Sequence, residues 1–246
     1  MSENPEEIKG QRIAKVIARS GFCSRREAEQ IILEGRVKVN GITIDTPATI
    51  ITDHSIKIDG KLIEAKQPAK IWIFHKPKGL INSTSDPKAR KNIFEVLPKH
   101  LPRVVTIGRL DINTEGLLLL TNDGELARYI ELPANKWTRI YRARVYGIID
   151  MDRLKKLQKG IIIEGVKYGG IKVEMEQERD FNSWLKISLT EGKNREIKKV
   201  LEYFGLKVSR LIRVSFGPFH LGNLAVGQVK DVPRPALVDA VPKEFL

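Results

Sequence analysis

The sequence predicts an α+β protein in two parts: a small front of helices and a hairpin, then a larger region on a largely antiparallel mixed β-sheet flanked by helices. Three observations carry this. The string Ser24-Arg25-Arg26-Glu27 is a capping box that opens a helix, and two β-type triplets around Asn40-Gly41 follow it. The run 117–120 is all leucine and reads as a strand buried on both sides, whereas 139–147 alternates, with Tyr141, Ala143 and Val145 on one side. The length of 246 residues is comfortable for two domains. The expected division is a flexible leader at 1–10, a first domain at 11–58, a linker at 59–69 and a second domain at 70–246.

Composition narrows the partner. Hydrophobic residues at 41% and charged residues at 30% fit a soluble globular chain. Lys and Arg number 43 against 30 Asp and Glu, a net charge of +13 that points to a polyanion, nucleic acid first. Through Lys66 there are 11 basic and 10 acidic residues, leaving 32 against 20 beyond it, so most of the excess lies in the larger part. The single Cys23 rules out an internal disulfide and multi-cysteine zinc sites. The acidic N-terminus lacks an apolar signal core, and no apolar run nears the roughly 20 residues of a membrane span. The expectation is a cytoplasmic protein, acting as a monomer.

Taken in order, a helix is expected from Gln11, with Ile13, Val16 and Ile17 on one face and Arg12, Lys15 and Arg19 on another. The capping-box helix buries Ala28, Ile31 and Ile32 and stops at Gly35. Val37-Lys38-Val39 and Ile42-Thr43-Ile44 then form a hairpin on a type I′ turn. Two basic helices followed by this hairpin resemble the S4 RNA-binding module. The resemblance implies RNA contacts from Arg12, Lys15, Arg19, Arg25, Arg26, Arg36 and Lys38 through the phosphate backbone.

The larger part opens with a strand at 71–74 and a turn at Lys76-Pro77-Lys78-Gly79. Strands are expected at 139–147, 161–164, 170–175, 184–190 and 207–214. Helices are expected at 125–130, after Asp150, and at 194–204 with Ile197, Val200, Leu201 and Phe204 inward.

The four histidines share no metal-ligand spacing, no Walker loop exists because Gly192-Lys193 precedes Asn194, and no G-x-G-x-x-G occurs. No metal and no cofactor are therefore expected. What remains is Asp111 beside Arg109 on a turn before the leucine strand, Tyr141, and the basic start of the 194–204 helix. Taken alone, the segment at 108–116 favours a turn cap for Asp111.

The strings Gly108-Arg109-Leu110-Asp111-Ile112-Asn113-Thr114-Glu115-Gly116, Tyr141-Arg142-Ala143-Arg144-Val145, Glu191-Gly192-Lys193-Asn194-Arg195-Glu196-Ile197-Lys198-Lys199 and Val208-Ser209-Arg210-Leu211-Ile212-Arg213 change that balance. Together they resemble the RsuA/RluB/RluE/RluF branch of the pseudouridine synthases over about 11–232. The resemblance implies Asp111 as the catalytic aspartate and Tyr141 as the residue stacking on the target base. It implies Lys198 as the basic partner of the aspartate, where other branches carry Arg. Leu211 matches an apolar pocket wall, and Arg109 and Arg195 are expected at the target nucleotide. The implied reaction isomerises uridine to pseudouridine without a cofactor. Whether Asp111 attacks C6 or C1′, or deprotonates C2′, is left open by the residues.

Within the branch the wording is most like the RluB type, which implies 23S rRNA or a pre-ribosomal particle as partner. RsuA-type 16S and RluF-type 23S specificities are the alternatives. A non-enzymatic RNA-binding assembly factor is the rival of another class.

Overall fold

Ser24 and Glu27 close the expected capping box: the Glu27 amide donates to Ser24 Oγ at 3.1 Å, and the Ser24 amide to Glu27 Oε2 at 2.6 Å. The helix they open, α2 (Arg25–Leu33), packs on α1 (Ile13–Arg19). The computed structural model describes residues 10–52, 55–63, 67–83, 86–180 and 182–246. The leader expected at 1–10, apart from Gly10, and His54 lie outside the described residues.

Two compact units divide the chain. The first takes the described residues up to Ala69 with 101–104 and 122–124; the second takes 70–100, 105–121 and 125–246.

In the first unit Gln11 and Arg12 form a short strand, β1, and not the expected first turn of helix. They pair with β4 (Ile50–Ile51), and α1 starts only at Ile13, which is fully buried. Backbone pairing to β4 satisfies polar groups that a first helical turn would leave open. The hairpin β2 (Val37–Val39) and β3 (Ile42–Ile44) forms as expected. Asn40 and Gly41 both have positive φ, 50° and 88°, as a type I′ turn requires.

Strand β5 (Ile56–Ile58) pairs with β2 and with β6 (Lys61–Leu62), so part of the expected 59–69 linker is a hairpin arm. The core of this unit is aliphatic: Ile13, Ile17, Ala28, Ile32, Val37 and Ile58 are almost wholly buried.

The second unit is built on a sheet of nine strands among the described residues. Its main path runs β13 (Ile171–Gln177), β14 (Ser183–Leu189), β10 (Arg139–Tyr146), β15 (Lys207–Phe216), β9 (Glu115–Thr121), β7 (Ile71–Lys76) and β17 (Val229–Asp231). Strand β8 (Val105–Ile107) pairs with β9, and β16 (Phe219–His220) with β15. The β15–β9 pairing is parallel and the other described pairings of this sheet are antiparallel, the mixed character the sequence predicts.

Strand β9 is buried at every position, and its four leucines have no exposure, so it is the central rod of the sheet. Helices α3 (Gly124–Glu131), α4 (Met151–Lys155), α5 (Glu196–Tyr203) and α6 (Arg234–Ala240) accompany the sheet, and β11 (Ile161–Ile163) with β12 (Val166–Tyr168) makes a separate hairpin.

Gly116 is required where β9 meets β15. Its φ is +104°, and a Cβ there would sit 2.3 Å from the Arg213 carbonyl oxygen.

Candidate active site

The loop between β8 and β9 carries Asp111, and its backbone is held from several sides. The Thr114 amide donates to the Asp111 carbonyl at 2.9 Å, and the Gly79 amide to the Ile112 carbonyl at 2.8 Å. The Gly108 amide donates to Glu131 Oε1. Beneath the loop lies Lys76, the last residue of β7 and 0% exposed. Its Nζ donates to the carbonyls of Thr114 at 3.0 Å, Pro77 at 3.1 Å and Asp111 at 3.3 Å.

An ammonium group has three donors, and three carbonyls take them, which offsets the cost of its burial. Burial is also the main reason its pKa falls to about 8. Asp111 and Glu115 oppose the fall, and Lys198 adds to it. The sequence predicts a turn from Lys76 to Gly79, whereas β7 runs on through Lys76 and buries its ammonium.

The carboxylate of Asp111, by contrast, accepts no hydrogen bond from any described residue. That corrects the turn-cap expectation. The backbone of Asp111 closes the turn through its carbonyl, and its side chain is left over for other work.

Strands β10 and β15 supply a second wall. Tyr141 is paired with Arg213, and Ala143 with Leu211. Directly paired residues point to the same face of a sheet, so Tyr141 and Arg213 stand side by side. From the end of β14 the chain turns into α5 through Arg195, a non-glycine residue held at φ 52° and ψ 28°. Such a conformation is uncommon outside glycine and clusters at functional sites.

Helix α5 itself begins at Glu196 and ends at Tyr203, shorter at both ends than the expected 194–204. Its first turn presents Ile197 and Lys198, both buried. A cleft of about 770 Å³ joins these pieces, with Asp111, Arg109, Tyr141, Arg195, Lys198 and Leu211 all on its lining. All six side chains expected at the target nucleotide are thus brought to one cavity.

One detail differs from the expectation. Lys198 and Asp111 form no ion pair within 4.0 Å and interact through space. Burial lowers the Lys198 pKa first of all; the charges of Asp111 and Glu202 resist this, and those of Arg195 and Lys78 reinforce it.

Three further cleft residues were not singled out by the sequence. Arg139 donates to the carbonyls of Trp137, Thr190 and Glu131, tying the entry of β10 to the end of β14. Arg213, 2% exposed, donates from Nε to the Leu117 carbonyl at 2.7 Å, while its Nη2 is buried without a partner among the described residues. Glu196, 3% exposed, accepts the Lys193 amide on Oε2, and its Oε1 is unpartnered. Burial, with Glu191 nearby, raises Glu196 to about 7 against the Lys193 hydrogen bond. A signal for the two arginines was present: Arg139 is in phase with Tyr141, and Arg213 with Leu211, on inward strand positions.

The basic residues expected to touch RNA in the first unit divide into two groups. Arg36 holds Asp59 through two hydrogen bonds of 2.9 and 2.6 Å and reaches Glu34 at 3.0 Å. Arg19 donates to Gln11 and Asp123, and Arg25 lies 3.4 Å from Glu29. Lys15 is half-buried, whereas Arg12, Arg26 and Lys38 are exposed.

Residues 70–203 match the family model described as RNA pseudouridylate synthase. The chain belongs to that family. Residues 11–56 of this synthase match the S4 domain model. A Rickettsia felis protein named an uncharacterized RNA pseudouridine synthase is 49% identical over 228 residues, spanning 92% of this chain and 99% of its own. A Yersinia pestis protein named ribosomal large subunit pseudouridine synthase B is 38% identical, over 86% of this chain and 69% of its own. The synthase also shares its fold with a crystal structure of a pseudouridylate synthase, at a TM-score of 0.67 and 24% identity, covering 94% of this chain and 99% of that one.

Proposed function

We propose that the synthase isomerises a uridine of ribosomal RNA, 23S rRNA of the large subunit, with Asp111 as the catalytic carboxylate. The observation that carries this is the state of Asp111. Its backbone is clamped through Lys76, its carboxylate is unpartnered among the described residues, and it lines a cleft with Tyr141 and Lys198. A reactive group on a fixed backbone with an uncommitted side chain meets its substrate in one geometry.

The reaction breaks N1–C1′ and forms C5–C1′; the C5 proton leaves to water and N1 takes one up, so atoms and electrons balance. Tyr141 offers a ring for the flipped base, and stacking returns about 1–3 kcal/mol of the unstacking cost. Leu211 excludes water from the same wall. The Lys198 ammonium brings positive charge to the same cleft as the Asp111 carboxylate. Arg109 and Arg195, both exposed at the rim, suit the sugar–phosphate of the target nucleotide. In the first unit Arg12, Arg26 and Lys38 are the best placed of the basic residues for phosphate contacts, because their charges are exposed. The choice of 23S rRNA is supported by the name of the Yersinia pestis relative.

The test uses rRNA labelled with [5-³H]uridine from a strain lacking the gene. Asp111→Asn is expected to abolish tritium release while filter binding of the rRNA is kept; undiminished release overturns the role of Asp111. Mapping pseudouridine in the same strain is expected to show one lost site in 23S rRNA, and a loss confined to 16S rRNA overturns the choice of subunit.

A further inference from the structure

Beside the cleft lies a second cavity of about 270 Å³ that shares Arg195, Lys198 and Leu211 with it. Its lining is dominated by cations. Lys78, Arg195, Lys198 and Arg210 face it, and Glu202 is the one acidic lining residue. Arg210 is answered by Glu115 through hydrogen bonds of 2.6 and 3.2 Å, and Lys78 lies 3.8 Å from the same carboxylate. The side chains of Arg195 and Lys198 have no hydrogen bond or ion pair among the described residues. Asn113 and Ser209 complete the polar wall.

Crowding like charges into a concave pocket costs electrostatic free energy that a bound anion would return. The crowding is felt at Lys198, whose protonated form Arg195 and Lys78 both disfavour. The pocket is also placed where the substrate needs a partner. A nucleotide inside an RNA strand is tethered to a phosphate on each side, so a base in the cleft brings a phosphate to the adjoining wall.

We propose that this second cavity is a phosphate subsite that seats a backbone phosphate of the RNA strand next to the nucleotide in the cleft. This rests on the reading of the larger cleft as the uridine site. Lys78, on the turn after β7, and Arg195, at the left-handed entry to α5, close on the phosphate from two sides. Lys198 faces both cavities and so links strand binding to the charge beside Asp111. Ser209, on β15, lies at the wall where added negative charge would repel the phosphate.

The experiment measures tritium release by the full chain from [5-³H]uridine-labelled rRNA of the deletion strain, as a function of rRNA and KCl concentration. Lys78→Ala is expected to raise KM about tenfold, to keep kcat within about twofold, and to flatten the slope of log KM against log salt by about 0.7, one phosphate contact on a single strand. Lys78→Arg is expected to retain both. Ser209→Glu, on a different strand, is expected to raise KM by a similar or larger factor, and adding Lys78→Ala to it to do little more, because both act on one bound phosphate.

Unchanged KM and salt slope in both Lys78→Ala and Ser209→Glu overturn the proposal, as does a fall in kcat alone. A Lys78→Ala effect seen only after inorganic phosphate is added assigns the pocket to the free ion and also overturns it. Asp111→Asn run in parallel separates the two ideas: full turnover in that variant removes the uridine-site reading, whatever Lys78 does.

Discussion

A carboxyl group buried without a cation at hydrogen-bond distance holds its proton longer than one in water, and Glu196 is in that position. Its pKa rises from the ordinary 4.5 to about 7, chiefly through burial. The folded chain therefore binds more protons than the unfolded chain between these two values, so this group's contribution to stability falls as pH rises from about 4.5 to about 7 and stays reduced above. Glu196→Gln keeps an acceptor for the Lys193 amide and removes the titration. We expect it to stabilise the fold by roughly 1–3 kcal/mol at pH 8 and by little at pH 4.5, read from thermal or urea unfolding at both. An equal effect at the two pH values would show that the fold leaves the Glu196 pKa where it is in the unfolded chain.

Residues of this kind are where the sequence said least. Asp111, Tyr141, Lys198 and Leu211 could be picked out because they sit in recognisable strings, and the structure brings them to one cleft. Lys76 could not, because its importance comes from burial that only long-range packing creates; Arg213 and Glu196 lie inside the same strings, but nothing in the strings says that their charged ends are buried. Lys76 stands before a proline, where a lysine is ordinarily solvated, yet β7 continues through it and turns its ammonium under the Asp111 loop.

At the scale of elements, periodicity located most strands and helices, and errors gathered where local signals were ambiguous. Helix α6 begins Arg234-Pro235; proline suits a first helical turn, but the short segment lacks enough apolar period to announce itself. Strand β12 (Val166–Tyr168) is three residues long, too short to show an alternation, and pairs with β11 among the described residues. The parallel pairing of β9 with β15, through Ile212–Glu115 and Arg213–Gly116, joins segments almost a hundred residues apart and has no local signature.

That junction depends on Gly116, both for its φ of +104° and for the space a side chain would fill beside Arg213. Gly116→Ala forces β9 away from β15 and is expected to cost roughly 2–4 kcal/mol in urea unfolding. Because β9 leads directly out of the Asp111 loop, tritium release should fall even in conditions where the variant remains folded. A variant with native stability would mean that the parallel strands tolerate the extra carbon.

At the scale of the whole molecule, charge and function divide unevenly. The chain beyond Lys66 carries 32 basic against 20 acidic residues, while the part before it is nearly balanced. In the first unit several cations are further committed to internal carboxylates, Arg36 to Asp59 and Glu34 above all. Its grip on RNA should therefore rest on the few exposed charges, and the larger unit should hold the strand at the reacting nucleotide. Exchanging Arg12, Arg26 and Lys38 together for alanine tests this division. Three lost phosphate contacts should flatten the salt dependence of rRNA binding by about 2 to 3 in log–log slope and weaken binding more than tenfold at low salt. Turnover at saturating rRNA should be preserved, because none of the three lines the cleft. If the triple variant binds with unchanged slope, the first unit contributes shape and not charge, and the phosphate contacts belong to the larger unit alone.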